Sequence, residues 1–276
     1  SVDGDKNVAI GRRALKLYED GDGNGHNTAV GSNSMENTTT GEYNTAVGSQ
    51  TASGGVMTGD YNVLMGYNAG HLISSGTYNI LIGAAAGDAI TTAEKNIAIG
   101  YGALGTEDTH GRNIAIGDSA LLVLNAGAYG YNVAIGYEAG KAMSTGVQNI
   151  VVGSQAGDAL TTGSGNVAIG FDALGAEDAH GRNVAIGHLA LQSQNAGADA
   201  YNVAVGYQAG LAMTTGVNNT LIGSFAGDSL TTGDYNIAIG RNALAAEDAH
   251  GYNVAIGAFA LTAQNAGDNA HNVGVG

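Results

Sequence analysis

Asn183-Val184-Ala185-Ile186-Gly187 is one copy of a pentapeptide that recurs sixteen times as Asn-[Val/Ile/Thr]-small-[Ile/Val/Met]-Gly. Its leading asparagines are Asn7, Asn27, Asn44, Asn62, Asn79, Asn96, Asn113, Asn132, Asn149, Asn166, Asn183, Asn202, Asn219, Asn236, Asn253 and Asn272. From Asn62 onward the spacing settles into 17, 17, 17 and 19 residues, so Asn62, Asn132, Asn202 and Asn272 hold the same place in successive 70-residue super-repeats. A fixed short period running from end to end marks a solenoid, in which each coil contacts only its neighbours. The expected fold is all-β, a β-roll or β-helix of about sixteen coils of 17–19 residues. At about 4.8 Å per coil this makes a rod about 75 Å long. Residues 1–61 form the irregular coils, with spacings of 20, 17 and 18, and residues 62–276 the regular solenoid.

Strand side chains alternate, so the residues one and three after Asn share a face. Val184 and Ile186 are expected to point inward together, with Ala185 pointing the other way. A further Ala stands three residues past many of the glycines, as at Ala103, Ala120, Ala173, Ala190, Ala243 and Ala260. Each coil then offers one larger apolar face and one small, tight one. A single solvated chain needs only the first, so the second is expected to receive other copies of the chain in closed cyclic symmetry, as a homotrimer. The Asn column (Asn113, Asn132, Asn149, Asn166, Asn183) and the Gly column (Gly117, Gly136, Gly153, Gly170, Gly187) read as structural. Gly permits positive φ or a close backbone approach at a strand end. Asn tolerates the left-handed region and bonds nearby backbone, and a stacked column of amides forms a ladder.

Composition excludes several function classes. There are 47 glycines, no proline, cysteine or tryptophan, and three phenylalanines, so a wide core of large side chains is not available. The formal charge is −15 with nine Lys and Arg. Nucleic-acid binding is not expected, because it needs a basic footprint to neutralise phosphates, and anionic lipid is disfavoured for the same reason. No apolar run approaches the roughly 20 residues of a membrane span, so membrane insertion is not expected. The chain ends inside a repeat, Asn272-Val273-Gly274-Val275-Gly276, which reads as part of a longer fibre.

Gly181-Arg182-Asn183-Val184-Ala185-Ile186-Gly187-His188-Leu189-Ala190-Leu191 resembles the Gly-x-x-Asn-[Thr/Val]-Ala-[Val/Ile]-Gly-x-x-Ala-[Leu/Gly] repeats of bacteriophage tail-fibre and related virion proteins. It is more loosely similar to the head repeats of trimeric autotransporter adhesins. The resemblance covers the whole chain. It implies a trimeric β-roll or β-helix that acts as a spacer or receptor-binding shaft in host attachment, in the virion or at a cell surface. The alternative it implies is a bacterial surface adhesin or extracellular filament subunit.

Other motifs carry residues suited to chemistry. Gly100-Tyr101-Gly102-Ala103-Leu104-Gly105 matches a dinucleotide-binding fingerprint, but the equivalent stretches beginning at Gly170 and Gly240 lose it, so no such cofactor is expected. Asp20-Gly21-Asp22-Gly23-Asn24-Gly25 resembles the opening of an EF-hand loop, with Asp20, Asp22 and Asn24 as oxygen ligands for Ca²⁺ or another divalent cation. The twelfth position, which should be Glu, is Gly31, and a flexible acidic corner is the simpler reading. An acid-His corner recurs as Glu107-Asp108-Thr109-His110, Glu177-Asp178-Ala179-His180 and Glu247-Asp248-Ala249-His250. No Ser or Cys recurs beside it as a nucleophile, so catalysis is not expected. A corner hydrogen bond explains it, or else three histidines meeting on the threefold axis of a trimer, at His110, His180 or His250, hold a transition metal. Tyr67, Tyr137 and Tyr207 follow Gly at the super-repeat period, as Tyr61, Tyr131 and Tyr201 precede Asn. Exposed aromatic columns of this kind suit contact with cell-surface carbohydrate.

Overall fold

The computed structural model describes residues 6–19, 25–265 and 271–276. It contains two compact units, Ser1–Tyr137 and Glu138–Gly276. The first carries β1 (Val8–Ile10), β2 (Thr28–Val30), β3 (Thr45–Val47), β4 (Val63–Met65), β5 (Ile80–Ile82), β6 (Ile97–Ile99), β7 (Ile114–Ile116) and β8 (Val133–Ile135). The second carries β9 (Ile150–Val152), β10 (Val167–Ile169), β11 (Val184–Ile186), β12 (Val203–Val205), β13 (Thr220–Ile222), β14 (Ile237–Ile239), β15 (Val254–Ile256) and β16 (Val273–Val275). In each unit every strand pairs in parallel with the next along the chain, at one constant register, as in Ala98↔Ala115 and Ala168↔Ala185. Each unit is therefore a β-solenoid with one strand per coil, and no helix occurs among the described residues. Where the spacing changes at Asn62 the register continues, with Ala46 opposite Leu64.

Glycine sets the length of each strand. The Gly after the third strand residue takes φ between about 125° and 144°, a region that costs an L-residue heavily. A Cβ on Gly117, Gly153, Gly170 or Gly187 would also lie 2.2–2.4 Å from the carbonyl oxygen of the next glycine in the column. Gly136 shares the dihedral, at 140°.

Asparagine ties coil to coil. Its Oδ1 accepts the backbone N–H of the next Asn, at 3.0 Å from Asn113 to Asn96 and 3.2 Å from Asn132 to Asn113 in the first unit. The same bond is 2.9 Å from Asn166 to Asn149 and 3.0 Å from Asn183 to Asn166 in the second. In many 17-residue coils Nδ2 also donates to the carbonyl fourteen residues on, as from Asn62 to Gly76 (2.9 Å) and Asn219 to Gly233 (2.8 Å). The 19-residue coils that begin at Asn113, Asn183 and Asn253 lack that second bond; Asn113 and Asn253 donate instead to the carbonyl two residues before them, and Asn253 also to Asn236 Oδ1. The left-handed residue at this corner is the one before Asn, as at Tyr61 (φ 57°), Arg182 (65°) and Tyr235 (57°). Asn itself does not take that conformation, since its side chain is committed to the ladder.

The expected strand orientation is reversed. Ala185, Ala168, Ala98 and Ala115 are fully buried, whereas Val184 and Ile186 are half-exposed. In β2 to β15 the middle residue of the strand fills the coil, and its two neighbours form the outer surface. The coil is too narrow for three branched side chains abreast, and it is filled in two alternative ways. In Ala-Leu coils the leucine, such as Leu104, Leu174 or Leu244, packs beside a mid-strand Ala. In Ala-Gly coils a long side chain three residues past the Gly takes its place, as with Ile73, Ile90, Leu160 and Leu230. The larger mid-strand residues Leu64, Leu81, Val151 and Leu221 occur only in Ala-Gly coils. A Cβ on Gly87 would stand 2.8 Å from Leu81 Cδ2 and 2.9 Å from Ile90 Cδ1, so the missing side chain makes room for both.

Candidate functional site

The outer strand face is the most extensive regular surface of each unit. Strand positions one and three hold Val, Ile, Thr or Met in every coil and never a charge. Val and Ile are stiff at χ1 and favour the pleated backbone, which explains their choice at solvent-facing sites. Between the terminal strands their exposure reaches 43% at Ile150, 40% at Ile256 and 38% at Ile135. Two columns of branched side chains thus run along a parallel sheet with no described residue covering them.

Aromatic columns flank this face. Before Asn, His26, Tyr43, Tyr61 and Tyr78 stack ring on ring, with centroids 4.9, 4.9 and 5.1 Å apart. In the second unit Tyr235 stacks on Tyr252 at the equivalent position before Asn. After Gly, Phe171, His188 and Tyr207 stack at 5.2 and 5.3 Å, and Phe225 meets Tyr207 edge-on. Rings stacked on one another present edges and hydroxyls outward. Tyr207 therefore has one face covered by His188 and a second ring edge-on to it, whereas the neighbours of Tyr67 in its column are Ser49 and Ala84, which carry no ring. Tyr67, Tyr137 and Tyr207 are all exposed. Tyr131 and Tyr201 instead receive arginines: Arg112 Cζ lies 5.5 Å from the Tyr131 ring and Arg182 Cζ 5.4 Å from Tyr201. Stacks of this kind follow wherever aromatic residues fall at one column position in consecutive coils, a signal present in the sequence once the register is known.

The acid-His corner is built on a buried carboxylate. Glu107, Glu177 and Glu247 are fully buried, and each accepts the backbone N–H of the histidine three residues on, at 3.0, 3.1 and 3.2 Å. Each histidine ring faces the glutamate of its own coil, with Nδ1–Oε1 distances of 3.7 Å at His180 and 3.0 Å at His250. At His110 the ring bonds the Thr109 hydroxyl instead (3.0 Å), and that hydroxyl also donates to Asp108 Oδ1 (3.0 Å). Asp20, Asp22 and Asn24 of the EF-hand-like stretch lie outside the described residues.

Burial raises the Glu107 carboxyl to about 7 from its ordinary 4.5, assisted by Asp108 and opposed by the N–H groups of His110 and Ala126. Glu177 is raised for the same first reason. A folded-state value above the unfolded one means that the stabilising contribution is full below about 4.5 and is lost as pH rises through about 7. Glu107→Gln should therefore flatten the pH dependence of melting between pH 5 and 8. The expected size is on the order of 2 kcal/mol, once solvent screening at the corner is allowed for. Thermal melts at both pH values check it, and an unchanged pH dependence in the variant would refute the assignment.

An open notch of about 450 Å³ in the second unit is lined by Asp158, Asp172, Gly175, Ala176, Gln192 and Ser193. Burial, and then the neighbouring Asp172, raise Asp158, while Gln192 Nε2 donates to Asp172 Oδ2.

Comparison with protein-family models, curated proteins and solved structures gave no match for this chain. Identification thus falls to the geometry and to the repeat resemblance. Among the described residues no helix is long and apolar enough to cross a membrane.

Proposed function

We propose that the chain is a non-enzymatic structural shaft or receptor-binding fibre of a phage tail, in the virion or at a cell surface. In this reading three copies pack through their outer strand faces. The observation that supports it most is the pair of uncharged Val/Ile columns in each unit. A contiguous apolar surface of this kind marks an interaction site. The columns repeat at the 17- and 19-residue coil period, and a second copy of the same chain carries that period by construction. Charge points the same way: with a net charge of −15, two copies repel almost everywhere except on a neutral face. Closed cyclic symmetry then limits growth, and the repeat resemblance favours three. Tyr67, with ring faces free of aromatic neighbours, is the best placed of the three sequence-derived tyrosines for contact with a sugar ring.

Ile169→Lys combined with Ile239→Lys places charge on this face without entering the core. Sedimentation should fall from the mass of an oligomer to that of one chain, with the far-ultraviolet circular dichroism unchanged. An oligomer that persists in this variant would remove the outer face as the interface.

A further inference from the structure

We propose that the second and third acid-His corners are divalent transition-metal sites, each formed within one coil by Glu177, Asp178 and His180 or by Glu247, Asp248 and His250. In each trio one carboxylate or imidazole atom per residue lies within 4.8 Å of the others. Glu177 is fully buried, and beyond a long approach of the Ala196 N–H its Oε2 has no hydrogen bond. Its carboxylate faces the His180 ring, whose Nδ1 is likewise buried and without a partner. At the second corner a buried carboxylate oxygen and a buried imidazole nitrogen are both left unsatisfied, which is costly. A cation that takes one lone pair from each removes both penalties. At the third corner His250 Nδ1 bonds Glu247 Oε1 (3.0 Å), so the unmet atom there is Glu247 Oε2, and an ion would replace a bond between two of its own ligands; at the second corner the His180–Glu177 separation is 3.7 Å.

The turn is held in place before any ion arrives. The Asp178 carbonyl accepts the Thr161 N–H and the Thr161 hydroxyl (2.7 Å) from the preceding coil, and Asp248 receives the same pair from Thr231. One imidazole and two carboxylates suit a borderline ion such as Zn²⁺ or Co²⁺, with water completing the shell. The first corner provides an internal control. There Thr109 replaces Ala179 and Ala249, and its hydroxyl bonds both Asp108 and His110, so the two outer ligands are already committed.

The test is calorimetric titration of the chelator-treated full chain with Zn²⁺, repeated with Co²⁺ followed by visible absorption. Two ions per chain are expected, one for each trio. Ala179→Thr copies the first corner at an exposed position and should weaken one site by about tenfold or more. His180→Ala should abolish that site. Thr109→Ala should add a third. An absence of binding in the native chain would overturn the proposal. So would a stoichiometry unchanged by both Ala179→Thr and Thr109→Ala, with circular dichroism confirming that each variant is folded.

Discussion

Ala185→Arg is expected to destroy the folded state of the coils around it, whereas Ile186→Arg, one residue away, leaves them folded. Ala185 is fully buried in the middle of β11, opposite Ala168 on one side and Ala204 on the other. The interior it faces is filled by Leu174, Leu191 and further alanines, all buried. Neither a counter-charge nor room for a guanidinium exists there. An unpaired buried charge costs at least several kcal/mol, which is comparable to the whole stability of an ordinary domain, about 5–15 kcal/mol. In a solenoid each coil is stabilised by its neighbours, so the loss spreads along the stack. Circular dichroism melts of the two variants side by side measure this. Equal melting of both variants would mean that the inside and outside of the strand have been misassigned.

The second large effect belongs to the Asn ladder. Asn219 Oδ1 accepts the Asn236 N–H at 2.8 Å, and Asn219 Nδ2 donates to the Gly233 carbonyl at 2.8 Å. Asn219→Ala leaves a buried donor and a buried acceptor unmet, and should cost about 3 kcal/mol. Asn183→Ala should cost less, about 1–2 kcal/mol. Its Oδ1 still serves the Asn202 N–H (3.1 Å), but its Nδ2 has no partner to lose. Chemical denaturation of the two variants ranks them. If Asn183→Ala proved the more damaging, the ladder would not be the main tie between coils.

These two variants also mark what was legible in the sequence. The period alone established the solenoid, because a chain that repeats Asn and Gly every 17 or 19 residues must stack equivalent residues on one another. Alternation then separated Val184 and Ile186 from Ala185, but it could not say which set lies inside. Side-chain size suggested the larger pair, and the narrowness of the coil decided for the smaller residue. One signal did carry the answer. Leu64, Leu81, Val151 and Leu221 replace the mid-strand Ala only where Gly follows the next Ala, and such volume exchange happens between residues that touch in a core. Positions one and three vary among Thr, Val, Ile and Met with no matching change elsewhere, as surface positions do.

The acid-His corners were visible as a recurring motif but not as a geometry. A Glu in a turn beside Asp is ordinarily solvated, so nothing in Glu177-Asp178-Ala179-His180 announced that Glu177 is buried while Asp178 is exposed. The difference between Thr109 and Ala179 gained meaning only when the hydroxyl was seen to bridge Asp108 and His110.

The mass of the native particle in solution, by light scattering without crosslinker, tests the fibre reading most directly. Three times the chain mass of 27.4 kDa is the predicted result. A particle of one chain at all concentrations would contradict it, since the uncharged Val/Ile columns would then face water with no partner.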